Sequence, residues 1–156
     1  MNKLSGPLLE RMDLQAEVKA VEYKEILKLK LESWAGDFED EERIDAHAPQ
    51  NLSSAEMRDM VIAATDIQRE RYRNDGILYN SQLTNRLIEK YCAIDNEGKR
   101  FIQSVFDRFA LSARTYNKVL KVARTIADLE GAENIELAHL AEAVNYRQLD
   151  RRRAGR

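Results

Sequence analysis

One stretch of the chain, Phe109 to Gly131, commits it to a helical fold. Ser112 suits an N-cap, because its hydroxyl can accept a hydrogen bond from an amide left unpaired in the first turn. Gly131 suits a stop, because it takes left-handed backbone without a Cβ penalty. Between them Tyr116, Val119, Leu120, Ala123, Ile126 and Ala127 recur at helical spacing. Arg114 then falls at the second helical position, beside the positive end of the helix dipole, where an acidic side chain would be preferred. Such a placement makes an anion receptor, with phosphate as the first ligand to consider. The plain alternative is an exposed arginine that costs little.

Similar signals run along most of the chain. Ser53 and Glu56 form a capping box before an apolar face of Met57, Met60, Val61, Ala64 and Ile67, and Asn74-Asp75-Gly76 ends that helix. Thr84 is placed to cap a shorter helix with Leu87, Ile88, Tyr91 and Cys92. Asp95 is placed to cap another with Phe101, Ile102, Val105, Phe106 and Phe109. After Gly131 the pattern returns over residues 136 to 147 through Leu137, Leu140, Ala141 and Val144. The expectation is an all-α bundle of four to five helices over residues 53–149.

The N-terminal part reads differently. Ser5-Gly6-Pro7 can open a short helical turn through Leu8, Leu9, Glu10 and Arg11. Leu14, Ala16, Val18 and Ala20 then alternate with Gln15, Glu17 and Lys19, as in a half-buried strand. No second strand pattern is visible. A lone strand cannot satisfy its own backbone, so this β-strand is an orphan whose sheet is expected upstream, and the chain reads as a fragment. Residues 22–35 carry helical spacing in part (Tyr23, Ile26, Leu27, Leu31, Trp34). Asp37 to Asp45, crowded with acids and followed by Pro49, reads as an acidic linker within residues 22–52. Residues 150–156 form a basic tail.

Composition removes several functions. With 25 Lys and Arg against 27 Asp and Glu, the net charge of -2 offers no global field for nucleic acid. Arg147, Arg151, Arg152, Arg153 and Arg156 could touch DNA phosphates, but no aromatic residue follows Tyr146 to stack on bases, which favours a solvated tail. One cysteine excludes an internal disulfide, no apolar run spans a bilayer, and the chain reads as cytoplasmic. Two histidines and one cysteine leave no visible triad or zinc site, so no metal ligand is expected here; His139 reads as structural. The Walker A phosphate loop and the Walker B acids are both missing, so this chain alone should not hydrolyse ATP.

"LSARTYNKVLKVARTIADLEG" (residues 111–131) and "ENIELAHLAEAVNYR" (residues 133–147) resemble the C-terminal lid of the magnesium-chelatase-like AAA+ ATPases, in particular the competence-related branch. Arg114 stands where that family has its sensor-2 arginine, which reaches the terminal phosphate of its own subunit's nucleotide. "GPLLERMDL" (residues 6–14) resembles the arginine-finger segment, which implies that Arg11 acts in trans on a neighbouring subunit's nucleotide. Spacing alone would instead pair Arg11 with Glu10 or Asp13. The resemblance assigns residues 1–21 to the end of the AAA+ core, and it lapses over residues 24–50.

It implies a homo-oligomeric ring that uses ATP and Mg²⁺ in the full-length protein, with neither bound to this piece. The implied partners are the protein's own core and neighbouring subunits, with DNA processing as the competence-branch task and no membrane contact. Two alternatives stand beside this: within the same family but with another substrate, the motor subunit of a metal chelatase; and, from another class, a stand-alone helical protein-interaction module that never meets nucleotide.

Overall fold

The computed structural model describes residues 11–16, 52–109 and 111–147. Among them are five α-helices, α1 (Ser54–Arg71), α2 (Asn85–Tyr91), α3 (Asn96–Phe109), α4 (Ala113–Leu129) and α5 (Leu137–Asn145), with a 3-10 turn over Asn80–Gln82 between α1 and α2. Residues 11–16 and the helices belong to one compact unit.

Helix α4 is the axis of the bundle. The 3-10 turn and helices α1, α2 and α5 pack directly against it, and α3 packs against α5. Val119, Leu120, Ala123, Ile126 and Ala127 are buried, as the spacing predicts, and they share a core with Tyr72, Leu87, Ile88, Ile102, Val105, Leu140, Ala143 and Val144. Both ends of α4 carry a cap. The Ser112 hydroxyl accepts from the Thr115 amide at 3.3 Å, a cap of about 1 kcal/mol. At the other end Ala132 N donates to Ala127 O and Gly131 N to Asp128 O, with Gly131 at φ +70°. This is a Schellman stop, and only glycine meets its backbone requirement without strain.

The capping box of α1 forms as expected: Ser53 N donates to the Glu56 carboxylate at 2.7 Å and Glu56 N to Ser53 Oγ at 3.3 Å. Asp95 caps α3 through the Gly98 amide at 2.7 Å. Thr84 occupies the N-cap position of α2 but makes no side-chain cap bond.

Three expectations need correction. The apolar face of α1 is not core along its length, since Met57, Met60 and Val61 are exposed and burial begins at Ala64. Only the C-terminal half of that helix lies against α4, with Gln68 and Tyr72 buried beside Ala64. Leu137 at the start of α5 is likewise exposed.

The third correction is the orphan strand. Its described part, Leu14–Ala16, pairs with no strand; instead Gln15 N donates to Tyr146 O at 2.8 Å, at the end of α5. Among the described residues, this backbone meets a helix terminus that has carbonyls to spare. Residues 17–20, the 22–35 helix, the acidic stretch and the basic tail from residue 150 lie outside the described residues, as does most of the 5–11 turn.

Candidate functional site

The Ser112 cap fixes where Arg114 sits. Ala113 is the first residue of α4 and Arg114 the second, and its side chain is exposed. The first turn of α4 contains no acidic residue, and among the described residues no carboxylate pairs with Arg114. A free guanidinium therefore stands beside unpaired backbone amides at the positive end of a 17-residue helix. The chemistry such a group offers is anion binding through charge-assisted hydrogen bonds.

Spacing suggests a second cation for this patch, because Lys118 lies one turn further along the same face. Its ammonium is directed elsewhere. Lys118 Nζ donates to the Arg11 carbonyl at 2.5 Å and pairs with Asp13 at 2.8 Å, and its side chain is only 17% exposed. Arg11 itself is exposed in a turn. Asp13, one of the two acids that spacing offers Arg11, is taken by Lys118, so among the described residues the Arg11 guanidinium has no ion-pair partner. The two candidate arginines thus lie at opposite ends of a short connection through Lys118.

The segment after Arg11 is held by α5 as well. Arg147 donates to the Met12 carbonyl and is only 1% exposed. This withdraws Arg147 from the basic cluster considered for DNA, since a buried guanidinium bound to backbone is not presented to a phosphate chain. Arg151, Arg152, Arg153 and Arg156 lie outside the described residues.

Arg124, further along α4, belongs to a buried polar network. Its Nε donates to Asp128 at 3.0 Å, and its terminal nitrogens donate to Glu133 O at 2.8 Å and Ala132 O at 2.6 Å. Arg71 of α1 donates twice to the same carboxylate. Asn80 Nδ2 reaches it at 2.8 Å and Thr125 Oγ1 at 3.0 Å, while Tyr72 OH donates to Asn80 Oδ1 at 2.5 Å. Burial works against the Arg71 charge, but the Asp128 hydrogen bonds and charge outweigh it and hold the group above its ordinary value. Burial pushes the Tyr72 phenol up. The network ties α1, the 3-10 turn and α4 together, with the side chains of Asp128 and Arg124 withdrawn from solvent.

Two further reactive side chains among the described residues, His139 and Cys92, are also structural. His139 Nδ1 accepts from the Glu136 amide and Nε2 contacts Glu130, each at 2.9 Å, so both ring nitrogens are occupied. Burial pushes the Cys92 thiol up to about 11, which suppresses the nucleophilic thiolate. Among the described residues no group of three His, Cys, Asp or Glu could hold a metal ion, and no helix is long and apolar enough to cross a membrane.

Comparison with known proteins gives the family of the chain. Residues 51–147 match the family described as Magnesium chelatase, subunit ChlI C-terminal. The uncharacterized protein YifB of Salmonella typhimurium is 35% identical over 97% of this chain and 26% of its own length. Competence protein ComM of Haemophilus influenzae is 33% identical over 97% of this chain and 25% of its own. Escherichia coli YifB is 31% identical over 97% of this chain and 26% of its own. The chain therefore spans about a quarter of the length of these relatives. With all five helices lying inside the matched region, the chain belongs to the magnesium chelatase, subunit ChlI C-terminal family.

Proposed function

We propose that this chain is the lid of a magnesium-chelatase-related AAA+ ATPase, in which Arg114 senses the terminal phosphate of its own subunit's nucleotide and Arg11 reaches the nucleotide of a neighbour in a ring. The observation that carries the reading is the placement of Arg114, exposed and without a carboxylate partner among the described residues at the second position of α4. That donor set fits a terminal phosphate, which accepts charge-assisted hydrogen bonds from a guanidinium and from helix-end amides. It does not fit a magnesium ion, because the described residues supply no cluster of carboxylates. The metal's ligands and the phosphate loop belong, on this reading, to a core outside the chain. The bound triphosphate with its metal supplies the hydrolysis, and Arg114 supplies the link between phosphate and lid orientation.

The Haemophilus relative is named a competence protein, which supports DNA processing as the task of the full-length protein. The family's description names magnesium chelatase, which favours a second reading, a motor for metal insertion into a porphyrin. Growth and transformation assays of a strain lacking the gene separate the two, by loss of DNA uptake or loss of the metallated tetrapyrrole.

The ATPase reading is tested by ATP turnover of the full-length protein. Arg114→Ala is expected to lower kcat by on the order of 10²-fold, the usual effect of removing one preorganised donor to developing phosphate charge. Turnover at the wild-type level, or a gene without an upstream phosphate loop, would reject it in favour of the stand-alone interaction module.

A further inference from the structure

The segment that carries Arg11 is strapped to the bundle at both ends. Lys118 Nζ holds the Arg11 carbonyl and the Asp13 carboxylate, Arg147 holds the Met12 carbonyl, and Gln15 donates its amide to Tyr146 O at 2.8 Å. Gln15 is buried there, 6% exposed. Lys118 is one helical turn from Arg114 on α4, and the residues that follow it, Val119 and Leu120, are locked in the core. A helix anchored in this way moves as a rigid element, so displacement of its N-terminus is passed to whatever its side chains grip. Lys118 grips the backbone of Arg11 itself.

We infer that Lys118 is a positioning residue that ties the segment bearing Arg11 to the helix bearing Arg114, so that phosphate contact in one subunit sets the aim of the guanidinium presented to the next. The inference rests on the ATPase reading above and adds to it a physical connection between the two arginines. Lys118 suits the task because an ammonium on a flexible stem can serve a carbonyl and a carboxylate together. Its small exposure and its two protein acceptors set it apart from Arg114, which remains open to a ligand.

The test compares Lys118→Met, Lys118→Arg, Arg11→Ala, Arg114→Ala and the double variant Lys118→Met with Arg11→Ala, all in the full-length protein with ATP and Mg²⁺. Lys118→Met is expected to lower kcat by roughly 3- to 10-fold, the range of a coupling carried by one contact, with KM for ATP unchanged. Lys118→Arg should recover most of the loss, and the double variant should be no slower than Arg11→Ala. Should Lys118→Met fail to fold, Asp13→Asn replaces it, because that side chain is 66% exposed and its change removes the ion pair from the solvent side; a smaller fall in kcat is then expected.

Hydrogen exchange at the Gln15 amide gives a readout independent of ATP, and it should quicken in Lys118→Met or Asp13→Asn. A wild-type kcat in the Lys118 or Asp13 variant, additive losses in the double variant, or a raised KM marking Lys118 as a nucleotide ligand would each overturn the inference. If any of these occurs while Arg11→Ala and Arg114→Ala remain slow, the arginine roles stand and only the coupling falls. Wild-type turnover in both arginine variants would remove the ATPase reading and the coupling together.

Discussion

Arg71 and Asp128, separated by 57 positions in sequence, meet in a two-pronged ion pair with nitrogen-to-oxygen distances of 3.0 and 2.5 Å. The carboxylate is fully buried and also receives Arg124 Nε and Asn80 Nδ2, so each oxygen accepts two hydrogen bonds. Removing one member of such a set leaves the others charged or polar without water.

Asp128→Ala is therefore expected to destabilise the bundle by about 3–5 kcal/mol, the cost of leaving buried cations uncompensated. Arg124 dominates that cost, because its side chain is 3% exposed whereas that of Arg71 is 16% exposed. Urea denaturation followed by circular dichroism measures it, and Tyr72→Phe, which deprives Asn80 of one donor, should cost only about 1 kcal/mol. Equal losses in the two variants would show that Asp128 is not the hub.

Cys92 should resist alkylation in the folded chain. Its thiol is raised from an ordinary 9.0 to about 11, so at pH 8 the thiolate is scarce as well as buried. The sign for stability follows from the same shift. The folded state holds the proton more tightly than the unfolded state, so the contribution is complete below pH 9 and is lost as pH rises from 9 toward 11. Iodoacetamide labelling at pH 8 with and without urea checks the first expectation. A Cys92→Ala variant with a flatter alkaline denaturation profile checks the second.

Arg11, if it serves a neighbour, should be complemented by mixing. Full-length subunits carrying Arg11→Ala, combined with subunits lacking the phosphate-loop lysine, are expected to recover part of the ATP turnover that each lacks alone, because the first keeps a competent pocket and the second an intact finger. Mixtures no faster than the sum of the separate proteins would place Arg11 outside the neighbouring site.

Much of the helical layout was legible. The Ser53–Glu56 box, the Asp95 and Ser112 caps and the Gly131 stop depend on residues within a few positions of one another, and each appears in the structure as its local chemistry requires. Arg114 was legible for the same reason, since its position relative to Ser112 alone fixes it at the start of α4. The exposed first half of α1 was not. Met57, Met60 and Val61 have the spacing of a core face, and only the docking of α1 on α4 decides that burial begins at Ala64. Arg147 was misread because its charge suggests solvent, whereas the carbonyl that receives it belongs to Met12, 135 positions away.

The sequence by itself determined that the chain is helical, where its helices start and stop, and that an arginine stands at the head of the central one. These outcomes follow from backbone amides and carbonyls that find partners within one turn. Tertiary structure alone decided that Asp128, which has Arg124 one turn away on its own helix, also gathers Arg71 and Asn80 into one buried set, and that Lys118 turns from Arg114 toward Arg11 and Asp13. Those pairings close long loops, and nothing in the local chemistry of a charged side chain specifies which distant partner packing will bring within reach.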